Sequence, residues 1–258
     1  MNSHIAKEKA GCPFHQLHSV AKEFDFFDQA YQKDPAESLY NFREQLPIFY
    51  SEKMGYWVVT RYDDVNAIFR DPIVFSACNA LEKLTPNGPE AEAILKKYHY
   101  AMNRTLVNED EPIHMQRRRA LLDAFAPQHL EELQSFVEEL VNTKIDHMLA
   151  LGQADLVAEL FWDVPLIVAL KFLGIPDEDM QELKKFAVAH TVNTWGRPSV
   201  DEQCHVAEGV GRFWQYAGKV LNKMKQQPDG LGWMYDMIAQ NKAMPEVVTE
   251  NYLHSMMM

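Results

Sequence analysis

The sequence predicts a mainly α-helical protein with one small β hairpin. Apolar residues recur at helical spacing through the second half of the chain, and capping and breaking residues stand between these segments. In the first half, two aromatic and β-branched runs flank a turn at Met54-Gly55, which is the pattern of a hairpin. The periodicity and the turn residues together therefore predict the fold class.

The chain divides into a lead-in and one main body. Residues 1–34 are polar with scattered aromatics and no helical period, so they predict an irregular lead-in. From Pro35, a residue suited to the first helical position, helices and the hairpin follow without a linker, so residues 35–258 form one body. The pattern fails between Val74 and Asp110, where we expect a long functional or mobile loop.

Helices dominate after residue 110. Acidic residues and Pro112 predict the start of a helix that reaches about Phe125. Ser199 and Glu202 have the spacing of a capping box, and the helix after them carries an apolar core stripe. The last helix is predicted to begin near Pro245 and is still apolar at the final residue without a stop signal. We therefore expect that the sequence is cut inside a helix.

Composition and charge restrict the function classes. The chain has 258 residues, with 25 Lys and Arg against 37 Asp and Glu, so the net charge is −12. This acidity disfavours general nucleic-acid binding. The sequence has no apolar run approaching the roughly 18 residues of a membrane span and no signal-peptide core, so a cytoplasmic protein without membrane contact is expected.

A basic helix face is the strongest local candidate for a site. At about 100° per residue, His114, Arg118, Leu121 and Phe125 fall on one stripe. An imidazole and a guanidinium above two apolar side chains suit an anion with a flat apolar body. A solvated basic patch that answers the acidic residues at 109–111 explains the same residues and stays open as an alternative. A separate hypothesis is a non-enzymatic helical binding module whose Arg117–Arg119 patch docks an acidic partner.

Two metal hypotheses also arise from the residues. The spacing of Cys12, His15 and His18 is compatible with zinc or copper, but no fourth ligand is evident. The two Glu-x-x-His matches could instead build a non-haem di-iron helical protein, although Pro112 places the first glutamate at or before the first turn. The di-iron ligand candidates are Glu111, His114, Glu202 and His205, with Glu132, Glu138 and Glu139 as further partners.

The order of the segments resembles the cytochromes P450, particularly the soluble bacterial type. The resemblance covers most of the chain. The overall sequence is similar in character to the P450s that are fused to their own flavin and iron–sulfur reductase. Residues 56–65 resemble the family's first-sheet hairpin and B helix, and residues 111–114 with Arg118, followed by 124–127, resemble its C helix and exit. Residues 173–179 resemble the E–F junction, and residues 250–256 resemble the opening of the I helix.

The resemblance implies that residues 35–258 are the N-terminal portion of a haem domain, from the A helix to the start of the I helix. His114 and Arg118 would then hydrogen-bond a haem propionate. The implied enzyme is a haem-thiolate monooxygenase that inserts one oxygen atom from O2 into a small or medium apolar organic substrate. Its electrons would come from NAD(P)H through a flavin and iron–sulfur donor, separate or fused.

The resemblance also implies a substrate pocket. The loop 76–100 would shape it, with Ala77, Ala80 and Leu81 as apolar lining. A further lining segment around Val192, Thr194 and Trp195 would join the F and G helices as part of a mobile lid.

The departure from the family lies in the iron ligand. A P450 needs a cysteine thiolate on the iron, which the family places in a Phe-x-x-Gly-x-x-x-Cys-x-Gly loop. None of Cys12, Cys78 and Cys204 lies in such a loop, and the acid–alcohol pair of the I helix and the Glu-x-x-Arg of the K helix are missing too. We expect all of these beyond Met258, so the segment in hand holds no catalytic residue or metal ligand and does not activate oxygen by itself.

Overall fold

The structure is a computed structural model that describes residues 13–122, 125, 127–227 and 229–258. Within these residues the chain is mainly helical with a small two-stranded antiparallel sheet, which confirms the predicted fold class. The chain divides into two compact units, Met1–Ser76 and Ala77–Met258. Among the described helices, none combines the length and the apolar character that crossing a membrane requires.

The first unit packs short helices around the hairpin. The strands form the predicted hairpin, and they pair antiparallel with Ile48 opposite Val59 and Ser51 opposite Tyr56. Ala21, Phe42 and Phe49 form its buried core. The elements are α1 (Pro13–Lys22), α2 (Gln29–Lys33), α3 (Pro35–Gln45), β1 (Ile48–Ser51), β2 (Tyr56–Val59) and α4 (Tyr62–Arg70).

The prediction of an irregular lead-in over 1–34 is wrong where the structure describes this segment. Helices α1 and α2 occupy much of residues 13–33. Helix α1 buries Ala21 against Phe42 and Phe49, with Leu17 packed at the edge. Tertiary packing therefore stabilises a helix whose apolar pattern is too short to be recognised in the sequence.

The second unit contains eight α-helices among its described residues. A 3₁₀ turn, Leu106–Asn108, precedes the helix that carries the candidate site, and a π-helical turn, Val157–Phe161, lies between two others. The helices are α5 (Pro89–Lys97), α6 (Ile113–Leu122), α7 (Pro127–Leu151), α8 (Val164–Leu173), α9 (Asp177–Trp195), α10 (Val200–Lys225), α11 (Trp233–Ala243) and α12 (Glu250–Met256).

Helix α10 is the centre of this unit. Ser199 and Glu202 form the predicted capping box at its start. Its predicted apolar stripe is confirmed as core, since five of the six residues are buried and Val206 is partly buried. The buried members are Val210, Phe213, Ala217, Leu221 and Met224. Their partners come from α5, α9, α11 and α12.

Two boundaries differ from the sequence prediction. Helix α5 lies inside the predicted loop 74–110, where Ala91 and Leu95 pack on Val210. Only these two positions of α5 are fully buried, which is too few to produce a clear period in the sequence. The last helix begins at Glu250 rather than near Pro245, because Thr249 is the N-cap and its hydroxyl accepts a hydrogen bond from the Tyr252 amide at 3.1 Å.

Asp163 joins three helices of the second unit by ion pairs. Its carboxylate contacts Lys144 of α7 at 2.7 Å and also Lys184 of α9, and it directly precedes α8. Burial alone raises the pKa of Asp163, but hydrogen bonds from the two ammonium groups outweigh it and hold the pKa below its usual 3.8. The ion pairs therefore stabilise the folded state only while the carboxylate is charged.

We expect Asp163→Asn to lower the free energy of unfolding at pH 7 by about 1–2 kcal/mol, because two partly buried ammonium groups lose their counter-ion. Since the folded pKa is depressed, this stabilisation is present above the unfolded pKa and disappears as the pH falls through the folded value. Urea unfolding between pH 7 and pH 3 measures the difference. Asp177→Asn, at an exposed pair with Lys171, is the control with little effect. An equal loss at pH 7 and pH 3 contradicts the prediction.

Candidate functional site

Helix α6 presents different residues to the interior and to the surface. Arg117 and Leu121, one turn apart, are buried with 5% and 6% of their surface exposed. His114 is half-buried and Arg118 is exposed. The predicted stripe is therefore divided: its two polar members are accessible, whereas Leu121 belongs to the core and cannot form the wall of an open site. Phe125, beyond α6, is exposed and its ring lies 5.0 Å from that of Phe172.

Glu111 orients His114 at the start of α6. Its carboxylate Oε1 lies 3.1 Å from His114 Nδ1, and its Oε2 accepts a hydrogen bond from the Met115 amide at 3.2 Å. The glutamate therefore caps the helix and holds the ring at the same time, although it precedes Pro112. With Nδ1 directed to Glu111, Nε2 is the ring nitrogen left for a ligand.

Arg118 offers an uncommitted cation beside this ring. It is exposed, and within the described part of the chain its guanidinium has neither a hydrogen bond nor an ion pair. It stands one helical turn from His114. Arg118 fits a haem propionate, because a planar guanidinium binds a carboxylate with two parallel hydrogen bonds, and the His114 ring lies on the same face of the helix.

Arg117 is committed to the interior. Its Nε donates a hydrogen bond to the Val247 carbonyl at 2.8 Å, and its Nη1 pairs with the buried carboxylate of Glu109. Its guanidinium lies 3.9 Å from the centre of the Tyr252 ring. Burial lowers the pKa of Arg117, yet a guanidinium stays charged at neutral pH. Sequence reasoning missed this role, because the partners Val247 and Tyr252 lie in a distant part of the chain.

The metal hypotheses gain no support from the described residues. Across 13–122, 125, 127–227 and 229–258, no three His, Cys, Asp or Glu side chains lie together as metal ligands do. Glu111 and His114 meet, but the carboxylate of Glu202 is engaged with Ser199 in the capping box. Some candidates lie outside the described residues or side chains, namely Cys12, His15 and Glu132.

The predicted pocket loop lies between α6 and the end of α9. The Ala77 amide donates to Asp110 Oδ1 at 3.0 Å, just before α6. The Leu84 amide donates to the Thr194 carbonyl at 3.2 Å. Ala80 is exposed and Leu81 is partly buried. The loop therefore bonds to the segment just before α6 and to the predicted lid segment, and its role as pocket lining stays a prediction.

The predicted lid residues are not in a connecting loop. Val192, Thr194 and Trp195 form the last turn of α9, and the connection to α10 is Gly196–Ser199. The segment predicted to join the two helices is therefore helical up to Trp195, since no helix-breaking residue occurs before Gly196, whose amide still bonds to the Val192 carbonyl. Its role in a lid and as pocket lining stays a prediction. Thr194 is buried and its hydroxyl donates to the His190 carbonyl within its own helix at 3.2 Å. Val192 instead lines a surface cavity of about 410 Å³.

Several proteins of known structure are similar to this chain in fold and in sequence. The haem domain of CYP116B5 from Acinetobacter radioresistens has 68% sequence identity and a TM-score of 0.89, over 94% of this chain and 59% of that one. An intact type IV self-sufficient cytochrome P450 monooxygenase has 53% identity and a TM-score of 0.87, over 95% of this chain and 31% of that one. No protein-family model matches the chain.

A curated relative agrees with these structures. Cytochrome P450 CYP107DY1 of Priestia megaterium is 27% identical over 180 residues, which cover 67% of this chain and 42% of that protein. The chain belongs to the cytochrome P450 family. It corresponds to part of a P450 haem domain, and the haem domains that it matches include some of the kind fused to a reductase. The chain spans less than two thirds of the length of these relatives.

Proposed function

We propose that this chain is part of a haem-thiolate monooxygenase that inserts one oxygen atom from O2 into a small or medium apolar organic substrate. The observation that carries the proposal is the 68% identity to a P450 haem domain, together with an exposed Arg118 that has no partner among the described residues and stands one helical turn from His114. Haem, when bound, supplies an iron that binds and activates O2. The thiolate ligand would come from a cysteine outside these residues.

In this proposal α6 anchors one edge of the haem. Arg118 would bind a propionate through its two parallel N–H groups, beside the His114 ring that Glu111 holds at Nδ1. A buried propionate needs such partners, because an unpaired charge away from water is strongly unfavourable. The loop residues Ala77, Ala80 and Leu81 would give the substrate an apolar contact surface.

One of the similar structures supports a proposal for the electron donor. One matched structure is of a self-sufficient P450 monooxygenase. We therefore infer that NAD(P)H-derived electrons reach this protein through a flavin and iron–sulfur reductase fused to the haem domain, with a separate donor as the alternative. A cytoplasmic location is consistent with this supply of reduced nicotinamide.

The absorption spectrum of the complete native protein, reduced and exposed to carbon monoxide, tests the proposal. A strongly red-shifted Soret band is expected, since a thiolate donates electron density to the iron. The acid-denatured protein, in which the thiolate ligand is lost, is the control for the band position.

Two other outcomes would contradict the proposal. Stoichiometric iron without porphyrin would favour the di-iron protein based on Glu111, His114, Glu202 and His205. The absence of both iron and porphyrin, with salt-sensitive capture of an acidic protein, would favour a binding module that uses the Arg117–Arg119 patch.

A further inference from the structure

Arg117 makes three directional contacts to three different segments. It forms an ion pair with Glu109, which lies before α6. Its Nε donates a hydrogen bond to the Val247 carbonyl in the turn before α12, and the face of its guanidinium packs on the Tyr252 ring of α12. Both members of the ion pair are buried, with side chains 6% and 5% exposed. A buried charge pair is held in place because breaking it leaves an uncompensated charge. The side chain therefore cannot swing without losing several contacts together.

These contacts fix the rotation of α6 about its own axis. Arg118 follows Arg117 directly, about 100° further around the helix. A side-chain head about 6 Å from the helix axis moves about 2 Å when the helix turns by 20°. Hydrogen bonds to a carboxylate tolerate only a few tenths of an ångström. A small rotation of α6 would therefore move both Arg118 and His114 out of reach of a fixed anion.

We propose that Arg117 is a positioning residue for the haem-binding face of α6. This inference depends on the proposed function, because the positioned residues are Arg118 and His114. Arginine is needed rather than lysine, since one planar group bonds to a carbonyl, pairs with a carboxylate and stacks on a ring at the same time. The Tyr252 hydroxyl and Glu109 Oε2 have no hydrogen-bond partner among the described residues, so neither atom adds a polar contact that could replace those of Arg117.

The test measures haem transfer from the complete holoprotein to excess apomyoglobin. It uses Arg117→Met, Arg117→Lys and, as a matched control on the exposed side of the same helix, Arg119→Met. Transfer is followed at a temperature at which circular dichroism shows every variant folded. We expect the haem dissociation rate to rise about tenfold for Arg117→Met and about threefold for Arg117→Lys, with the control within about twofold of the native rate.

The outcomes separate positioning from general stability. A lower melting temperature for Arg117→Met with an unchanged haem dissociation rate would show a merely structural role and overturn the inference. If Arg117→Met does not fold, Tyr252→Leu removes the stacked ring while keeping the ion pair; a rise of about threefold supports the inference and no change overturns it. Absence of haem from the unsubstituted protein would overturn the proposed function and this inference with it, whereas equal rates with haem present overturn the inference alone.

Discussion

Replacing Gly174 by alanine is expected to lower the free energy of unfolding by about 3 kcal/mol, because the added Cβ strains the backbone conformation and clashes with neighbouring backbone atoms. Gly174 is the C-cap of α8 with φ of +80°, in the left-handed region that costs other residues about 1 kcal/mol. A Cβ at this position would lie 2.3 Å from the Leu231 carbonyl oxygen and 3.1 Å from the Gly232 Cα. Both neighbours are backbone atoms, so the turn between α10 and α11 would have to move, which costs about 1–3 kcal/mol more.

Gly152→Ala is the matched control for this prediction. Gly152 follows α7 with φ of +75°, almost the same backbone conformation, but apart from its chain neighbours no atom of the described residues lies within 4 Å of the position of an added Cβ. It therefore reports the conformational strain alone, about 1 kcal/mol. Urea unfolding followed by circular dichroism measures both midpoints. Equal shifts for the two variants would show that the contact between Gly174 and Leu231 has no energetic importance.

Local signals in the sequence predicted much of the fold. The Asp34-Pro35 start of α3, the hairpin around Gly55 and the Ser199 capping box are each specified by a few neighbouring residues, and the structure contains all three. The start of α12 was misplaced because Pro245 is a stronger sequence signal than Thr249, the residue that caps the helix. Helices α1 and α5 were missed because they are stabilised by contacts with distant segments.

The candidate site was predictable only on its exposed side. Helical spacing placed His114 and Arg118 on one face, and the structure leaves both accessible. The same spacing could not show that Arg117 is buried, because its partners Val247 and Tyr252 are about 130 residues away in the chain. Charged residues are rarely buried unless they are paired, so the residue type alone predicts that the Arg117 side chain is exposed to solvent.

The most direct test of the site itself is Arg118→Ala in the complete protein. We expect the haem dissociation rate to rise about 10- to 100-fold, because hydrogen bonds to a charged group contribute about 1.5–3 kcal/mol each. Arg119→Ala changes charge equally on the exposed side of the same helix and should leave the rate nearly unchanged. Transfer to apomyoglobin, measured for both variants at low and high salt, separates a local bond from a general effect of charge.

His114→Ala and the double variant complete this test. If both residues bind one propionate, their effects on the dissociation rate are coupled, and the double variant loses less or more than the sum of the single losses. If they act independently, the losses add. An unchanged rate for Arg118→Ala would show that its guanidinium does not hold haem, and the basic face of α6 would then be a solvated patch whose interactions weaken with salt.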